Sequence, residues 1–358
     1  MDWRQEKEEA ERRAAQERER QRLLSEETMR LAVENYMSRK SNGAFIMKPA
    51  IDWMAQASLR PVPKMLFSEL WHEGELCILF ADTNTGKSIL AVQIADSISK
   101  GIPIEGFKLA AKAQPVIYFD FELFDKQFEA RYSIDYQQHY AFAPDLLRAE
   151  LDPDREIPNR YTCFEDFVYD SIEQTVENSG AKVLIIDNIT YLRQETEQAK
   201  DALPLMKHLK ELKKRHGLSI LALAHTPKRD MSKPLTLNDL QGSKMLMNFC
   251  DSSFCIGNCM GDTGLRYIKQ VKARNTEIIY HDRNVALCRI QKPHNFLKFV
   301  FTGCGTEQEH LKTVEDKSRD WLVGEVKRIA DDCPDCSYRD IADHLGTSKS
   351  TVARILKD

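Results

Sequence analysis

Short, near-continuously apolar runs punctuate the middle of the chain: Leu76–Phe80, Val116–Phe119, Val183–Ile186, Leu218–Ala224, Phe254–Ile256 and Tyr267–Val271. Runs that are apolar at every position, rather than at alternate ones, predict parallel strands covered on both faces. Between them lie stretches with helical spacing, such as Ile89–Ser99 and Ala202–Lys214. The alternation predicts βαβ units, and so an α/β domain with a mainly parallel sheet. Two further strand-like runs, Val285–Ile290 and Phe296–Phe301, flank a Pro-His-Asn turn and predict an antiparallel hairpin at the sheet edge. The glycines between Thr302 and Thr306 break the pattern and predict a linker.

Both ends of the chain read as helical additions, giving three expected domains: 1–60, 61–303 and 304–358. Thirteen of the nineteen residues from Arg4 to Arg22 are charged. Acid-first pairs four apart, such as Glu8–Arg12 and Glu9–Arg13, support an exposed helix there. That helix is either merely solvated or an arm that docks on a neighbouring subunit. From Ser337 to Leu356 the spacing predicts a helix-turn-helix. Ala342 stands at the helix crossing, Gly346 in the turn, and Val352 and Ile355 face the core. Ser337 and Asp340 have capping-box spacing, and Trp321–Ile329 supplies the preceding helix. The second helix of the motif would present Ser348, Lys349, Ser350, Thr351 and Arg354 to a major groove. Residues 319–358 carry seven basic and eight acidic side chains, so protein contact is the competing reading.

Composition narrows the classes. The net charge of −4 excludes a global basic field, so any nucleic-acid contact must come from local patches. The nine cysteines are odd in number and irregularly spaced, which does not read as a disulfide framework. Cys333–Cys336, the one C-x-x-C, lacks a second ligand pair for zinc and reads as a turn. Met1–Arg22 has no apolar core, so it is not a signal peptide. No apolar run approaches the roughly 18 residues of a membrane span. The expectation is a cytoplasmic protein without membrane contact.

The chemistry concentrates at strand ends. Ala81, Asp82, Thr83, Asn84, Thr85, Gly86, Lys87 and Ser88 match the Walker A spacing, with alanine in place of the first glycine. A strand precedes them and a helix follows, the context a phosphate loop requires. Loop N–H groups would face the phosphates of ATP. Lys87 would reach the β- and γ-phosphates, and Ser88 would ligate Mg²⁺. Val183–Asp187 has the Walker B pattern, an apolar strand ending in an acid, and Asp187 would complete the magnesium site. Asn188 follows it, where AAA+ ATPases usually carry a catalytic glutamate. The water-activating carboxylate must then lie elsewhere. Glu122, just beyond the strand Val116–Phe119, is the favoured candidate and Asp120 its rival.

In order along the chain, Walker A, Glu122, Asp187, His225 and Lys272/Arg274 resemble the RecA-like hexameric ATPases of the DnaB and plasmid RepA helicase kind. Leu235–Lys244, followed by Asp251, is similar to the RepA type as well. The likeness spans about Leu66 to Phe301 and implies a RecA-like P-loop NTPase core. It also implies a homo-oligomeric ring, a hexamer, that hydrolyses ATP and moves along single-stranded DNA. By the same resemblance His225 reports the γ-phosphate to the following loop. Arg274, with Lys272 as its companion, projects into a neighbour's nucleotide site. Lys228, Arg229, Lys233 and Lys244 fall on the matching central loop, where basic groups would grip DNA phosphates. The chain departs from DnaB in having neither a primase-binding N-terminal domain nor a primase motif. Two functions stay open on the sequence: a DNA motor, or a DNA-binding ATPase switch that regulates or loads other factors.

Overall fold

The computed structural model describes residues 3–38, 45–189, 191, 202–227, 229–240, 243–334 and 336–357. The chain divides into two compact units, Met1–Pro63 and Lys64–Asp358. The first holds α1 (Trp3–Ser38) and α2 (Ala50–Ser58). On α1 the expected Glu9–Arg13 pair forms at 2.6 Å.

The second unit opens with a short antiparallel pair, β1 (Met65–Phe67) and β2 (Trp71–His72), before β3 (Leu76–Ala81) and α3 (Lys87–Lys100). Next come β4 (Val116–Asp120), α4 (Asp125–Arg131), the two-residue strands β5 (Ser133–Ile134) and β6 (Gln138–His139), and β7 (Leu146–Ala149). After them follow α5 (Phe164–Ser179), β8 (Val183–Asp187), α6 (Ala202–His216), β9 (Ser219–His225), α7 (Ser243–Phe249) and β10 (Ser252–Asn258). The antiparallel strands β11 (Leu265–Lys272), β12 (Val285–Gln291) and β13 (Lys298–Gly305) end the sheet. Three helices close the chain: α8 (Val314–Asp332), α9 (Tyr338–His344) and α10 (Lys349–Ile355).

Nine strands form the main sheet in the order β13-β12-β11-β10-β3-β9-β8-β4-β7. Those from β10 to β7 are mutually parallel. Residues on alternate positions of β3 enter different cores. Cys77, Leu79 and Ala81 join the cluster that includes Leu90, Ile94 and Ile98 of α3. Leu76, Ile78 and Phe80 join the cluster holding Leu205, Leu209 and Leu212 of α6. Both faces are covered, which is why these runs are apolar at every position.

Three expectations change. Tyr267–Val271 belongs to β11, which is antiparallel to β10 rather than one of the parallel set. The glycine-rich stretch from Thr302 is not a linker: β13 runs to Gly305 and pairs Gly303, Cys304 and Gly305 with Leu287, Ala286 and Val285. Backbone pairing carries this strand where side-chain pattern does not. Finally, Cys333 and Cys336 are joined as a disulfide.

The last helices pack around Val326, Ile341, Ala342, Val352 and Ile355. Ser337 and Asp340 form the expected capping box, and Gly346 takes φ 62° in the turn. No helix among the described residues is long and apolar enough to cross a membrane.

Candidate phosphate-binding site

Register brings the chemistry together. Ala81 at the end of β3 lies beside His225 at the end of β9, and Asp120 of β4 lies beside Asp187 of β8. Because these strands are parallel, all their C-terminal ends open on one edge, where open α/β sheets bind ligands.

The loop between β3 and α3 is shaped by Asn84, at φ 61°, and Gly86, at φ 98°. A Cβ on Gly86 would lie 2.8 Å from Ile290 Cδ1 and 3.0 Å from the Phe299 ring, so only glycine fits. Gln93 on α3 holds β13 in place, donating to Phe299 O at 2.9 Å and accepting from Phe299 N at 2.8 Å. Thr85 is buried and donates from Oγ1 to Asp82 O at 2.8 Å, which closes the loop on itself. Thr83 and Asn84 stay exposed at its tip.

Lys87 Nζ donates to Ala81 O at 3.0 Å and Asp82 O at 3.1 Å, and lies 3.1 Å from His225 Nδ1. Burial lowers its pKa, while Asp187, Glu122 and Asp82 favour the charged form. On the other side of the imidazole, Nε2 lies 3.2 Å from Glu122 Oε1. One tautomer serves both contacts: Nδ1 accepts from Lys87 and Nε2–H donates to Glu122. Asn188 Nδ2 also donates to Glu122 Oε1. The His225 hydrogen bond, with Lys87 and Asn188 assisting, holds the Glu122 carboxyl below the usual range despite its partial burial.

Asp187 behaves oppositely. Burial pushes its pKa up to about 6, although hydrogen bonds from Ser88 and Tyr118 pull it down. The Tyr118 hydroxyl donates to Oδ2 at 2.5 Å. Ser88 and Asp187 thus stand close enough to influence one another, an arrangement that suits a shared magnesium site.

Asp120, the rival base, is fully engaged. Oδ1 accepts from Glu122 N at 3.2 Å and Leu123 N at 3.0 Å, and Oδ2 takes Arg148 Nε at 2.9 Å. It braces the turn that carries Glu122. Arg131, which carries no motif, lines the same cleft as Lys87, Ser88, Glu122 and His225. Its Nη1 is buried without a hydrogen-bond partner. A buried, unpaired guanidinium nitrogen beside a phosphate loop fits an anionic ligand. Only the folded position of the last residue of α4 reveals it.

Other expected residues lie apart from this cluster. Arg274 Nη1 pairs with Asp251 Oδ1 at 3.3 Å, and Asp251 N donates to Leu76 O at 2.8 Å. Arg274 is therefore at the opposite end of β3, roughly 16 Å along the strand from Ala81. Lys272 Nζ donates to Met247 O and, at 2.8 Å, to Cys250 O. The central-loop set divides. Lys233 is exposed, and Lys244 falls on α7 with its side chain outside the described residues. Lys228 lies outside them altogether. Arg229 departs from the expectation of a DNA-gripping side chain: it is 5% exposed and pairs with Asp82 at 3.4 Å. Lys349 and Arg354 are exposed on α10.

The sheet order, the phosphate loop and the acid-ended β8 define a P-loop ATPase of the RecA-like class. More particularly, the AAA_25 family, described as an AAA domain, matches residues 9–231, and the chain belongs to that family. Among solved structures, a KaiC-like protein of the hyperthermophilic archaeon Pyrococcus horikoshii is similar at 15% identity and a TM-score of 0.44, over 64% of this chain and 90% of that one. No curated protein matches the chain.

Proposed function

We propose that the protein is an ATP-hydrolysing, ring-forming DNA motor: a RepA-type replicative helicase of a plasmid or mobile element that translocates on single-stranded DNA. The observation that carries this reading is the split of the catalytic set. Lys87, Glu122, His225 and Asp187 cluster at one end of the sheet, whereas Arg274 stands at the other, half-exposed. An arginine there is of no use to its own chain's phosphates but can enter a neighbour's site in a homo-oligomeric ring, a hexamer on this reading.

Within the site, Lys87 swings from its loop carbonyls to the β- and γ-phosphates of ATP. Ser88 and Asp187 would hold Mg²⁺, which would supply charge neutralisation for the phosphates. Glu122 orients the attacking water and receives its proton at Oε1 or Oε2. Its low pKa favours orientation over strong basicity. His225 touches both Lys87 and Glu122, so a displacement of either is felt at the start of the loop after β9. Arg131 directs Nη1 at the phosphates from within the same chain. In trans, Arg274 stabilises charge on the transferring group, an effect on the order of 10³-fold or more in rate.

Exposed Lys233, with Lys228 and Lys244, would contact the single strand, and Lys349 and Arg354 would give the C-terminal helices an address on duplex DNA. Here 304–358 is read as a helix-turn-helix domain whose first two residues still close β13, with an ATPase core at 61–303 and a helical arm at 1–60. Strand separation on a forked duplex tests the function. It should require ATP and be lost in Lys87→Ala. Rings that hydrolyse ATP on DNA without separating strands would instead identify a regulator or loader.

A further inference from the structure

An acid inside a phosphate-binding loop demands a counter-charge. Asp82 is the second residue of the loop, directly after β3, and its carboxylate would repel the phosphates that Lys87 and the loop N–H groups attract. Both of its oxygens are engaged. Oδ1 accepts from Thr226 Oγ1, and Oδ2 lies 3.4 Å from Arg229 Nε. The Arg229 side chain is nearly buried, and its Nη1 donates to Lys233 O at 3.1 Å. Thr226 N adds a backbone bond to Ala81 O at 3.2 Å. The segment after β9 is thus fastened to the front of the loop by hydrogen bonds from a hydroxyl and an amide, and by the charge of a guanidinium whose Nε faces Asp82 without a hydrogen bond. Guanidinium groups are seldom buried without a partner, and here the partner belongs to the phosphate site.

We infer that Arg229 is a positioning residue of the nucleotide site: it neutralises Asp82 and holds the first turn of the loop in a shape that admits phosphate. The inference rests on reading Ala81–Ser88 as an ATP site. Removing Arg229 alone leaves the Asp82 carboxylate without its guanidinium partner next to the incoming phosphates. Removing both charges abolishes the conflict. The pair therefore couples: the effect of one substitution depends on the other. A purely structural role for Arg229 would give no such rescue, because losing Asp82 as well would only add damage. A DNA-gripping role would leave nucleotide affinity untouched.

The test uses the full chain as Arg229→Ala, Asp82→Asn, the double variant and Lys87→Ala, titrated with a fluorescent ATP analogue plus Mg²⁺, and separately with a single-stranded oligonucleotide in the absence of nucleotide. Arg229→Ala should weaken nucleotide binding on the order of tenfold, the effect expected of one uncompensated charge a few ångströms away. The double variant should recover most of that loss, and oligonucleotide affinity should not follow it. Asp82→Asn alone should bind the analogue more tightly than the wild type, which keeps the inference testable if Arg229→Ala fails to fold. Wild-type nucleotide affinity in Arg229→Ala, no recovery in the double variant, or weaker binding in Asp82→Asn would each overturn it. If the wild type bound no analogue, or Lys87→Ala bound it equally well, the ATP-site reading itself would be at fault.

Discussion

Glu122 and Asp187 share a cluster, yet their carboxyls are driven in opposite directions. Desolvation raises Asp187 to about 6, whereas the hydrogen bond from His225 leads the lowering of Glu122. The difference fits two tasks: a buried acid that yields its proton to a cation, and an ionised acid that orients water. By linkage, the cost of burying ionised Asp187 grows as pH rises from its unfolded value toward 6, and a bound cation offsets it. For Glu122 the consequence is kinetic. Glu122→Gln should lower turnover on the order of 100-fold or more while equilibrium binding of ATP persists. Loss of binding, measured by nucleotide titration, would show that Glu122 holds the loop rather than the water. Lys87 and Ser88 were legible in the sequence because their spacing within one strand–loop–helix unit is fixed, and Asp187 because it ends the apolar run of β8. Glu122 was favoured over Asp120 on the sequence, but the reason Asp120 is occupied, its pairing with Arg148, is remote in sequence. Arg131 and the burial of Arg229 were hidden for the same reason.

Elements followed the apolar pattern wherever both faces are covered, as in β3, β4, β8 and β9. The pattern did not report direction, so β11 was assigned to the parallel set although it turns back along β10. β7 was missed altogether: at the sheet edge, Leu147 is exposed and the run is short. The end of β13 was hidden by glycines that pair through backbone alone. The C-terminal helices were clearer, because capping residues and a turn glycine mark their ends. Lys349 and Arg354 are both exposed on α10, and they make a prediction for that element. Replacing both with Glu should weaken duplex DNA binding at least about tenfold and flatten its salt dependence by about two phosphate contacts. Unchanged affinity and salt slope would assign α10 to a protein partner.

At the scale of the whole molecule, the proposed nucleotide site is one that a single chain does not complete. The fold class was legible, since alternation of buried runs and helices leaves few architectures. The proposed assembly rests on resemblance, because no single-chain pattern states which surface meets which. The position of Arg274, tied to Asp251 at the sheet end remote from Lys87, gives that resemblance a geometric consequence. The most direct measurement is ATP hydrolysis, with single-stranded DNA present, across mixtures of Arg274→Ala and Glu122→Gln subunits. Each parent should be nearly inactive, and mixtures should regain activity, since some interfaces then pair an intact Glu122 with an intact Arg274. No recovery at any ratio, or wild-type hydrolysis by Arg274→Ala alone, would contradict a site shared between subunits.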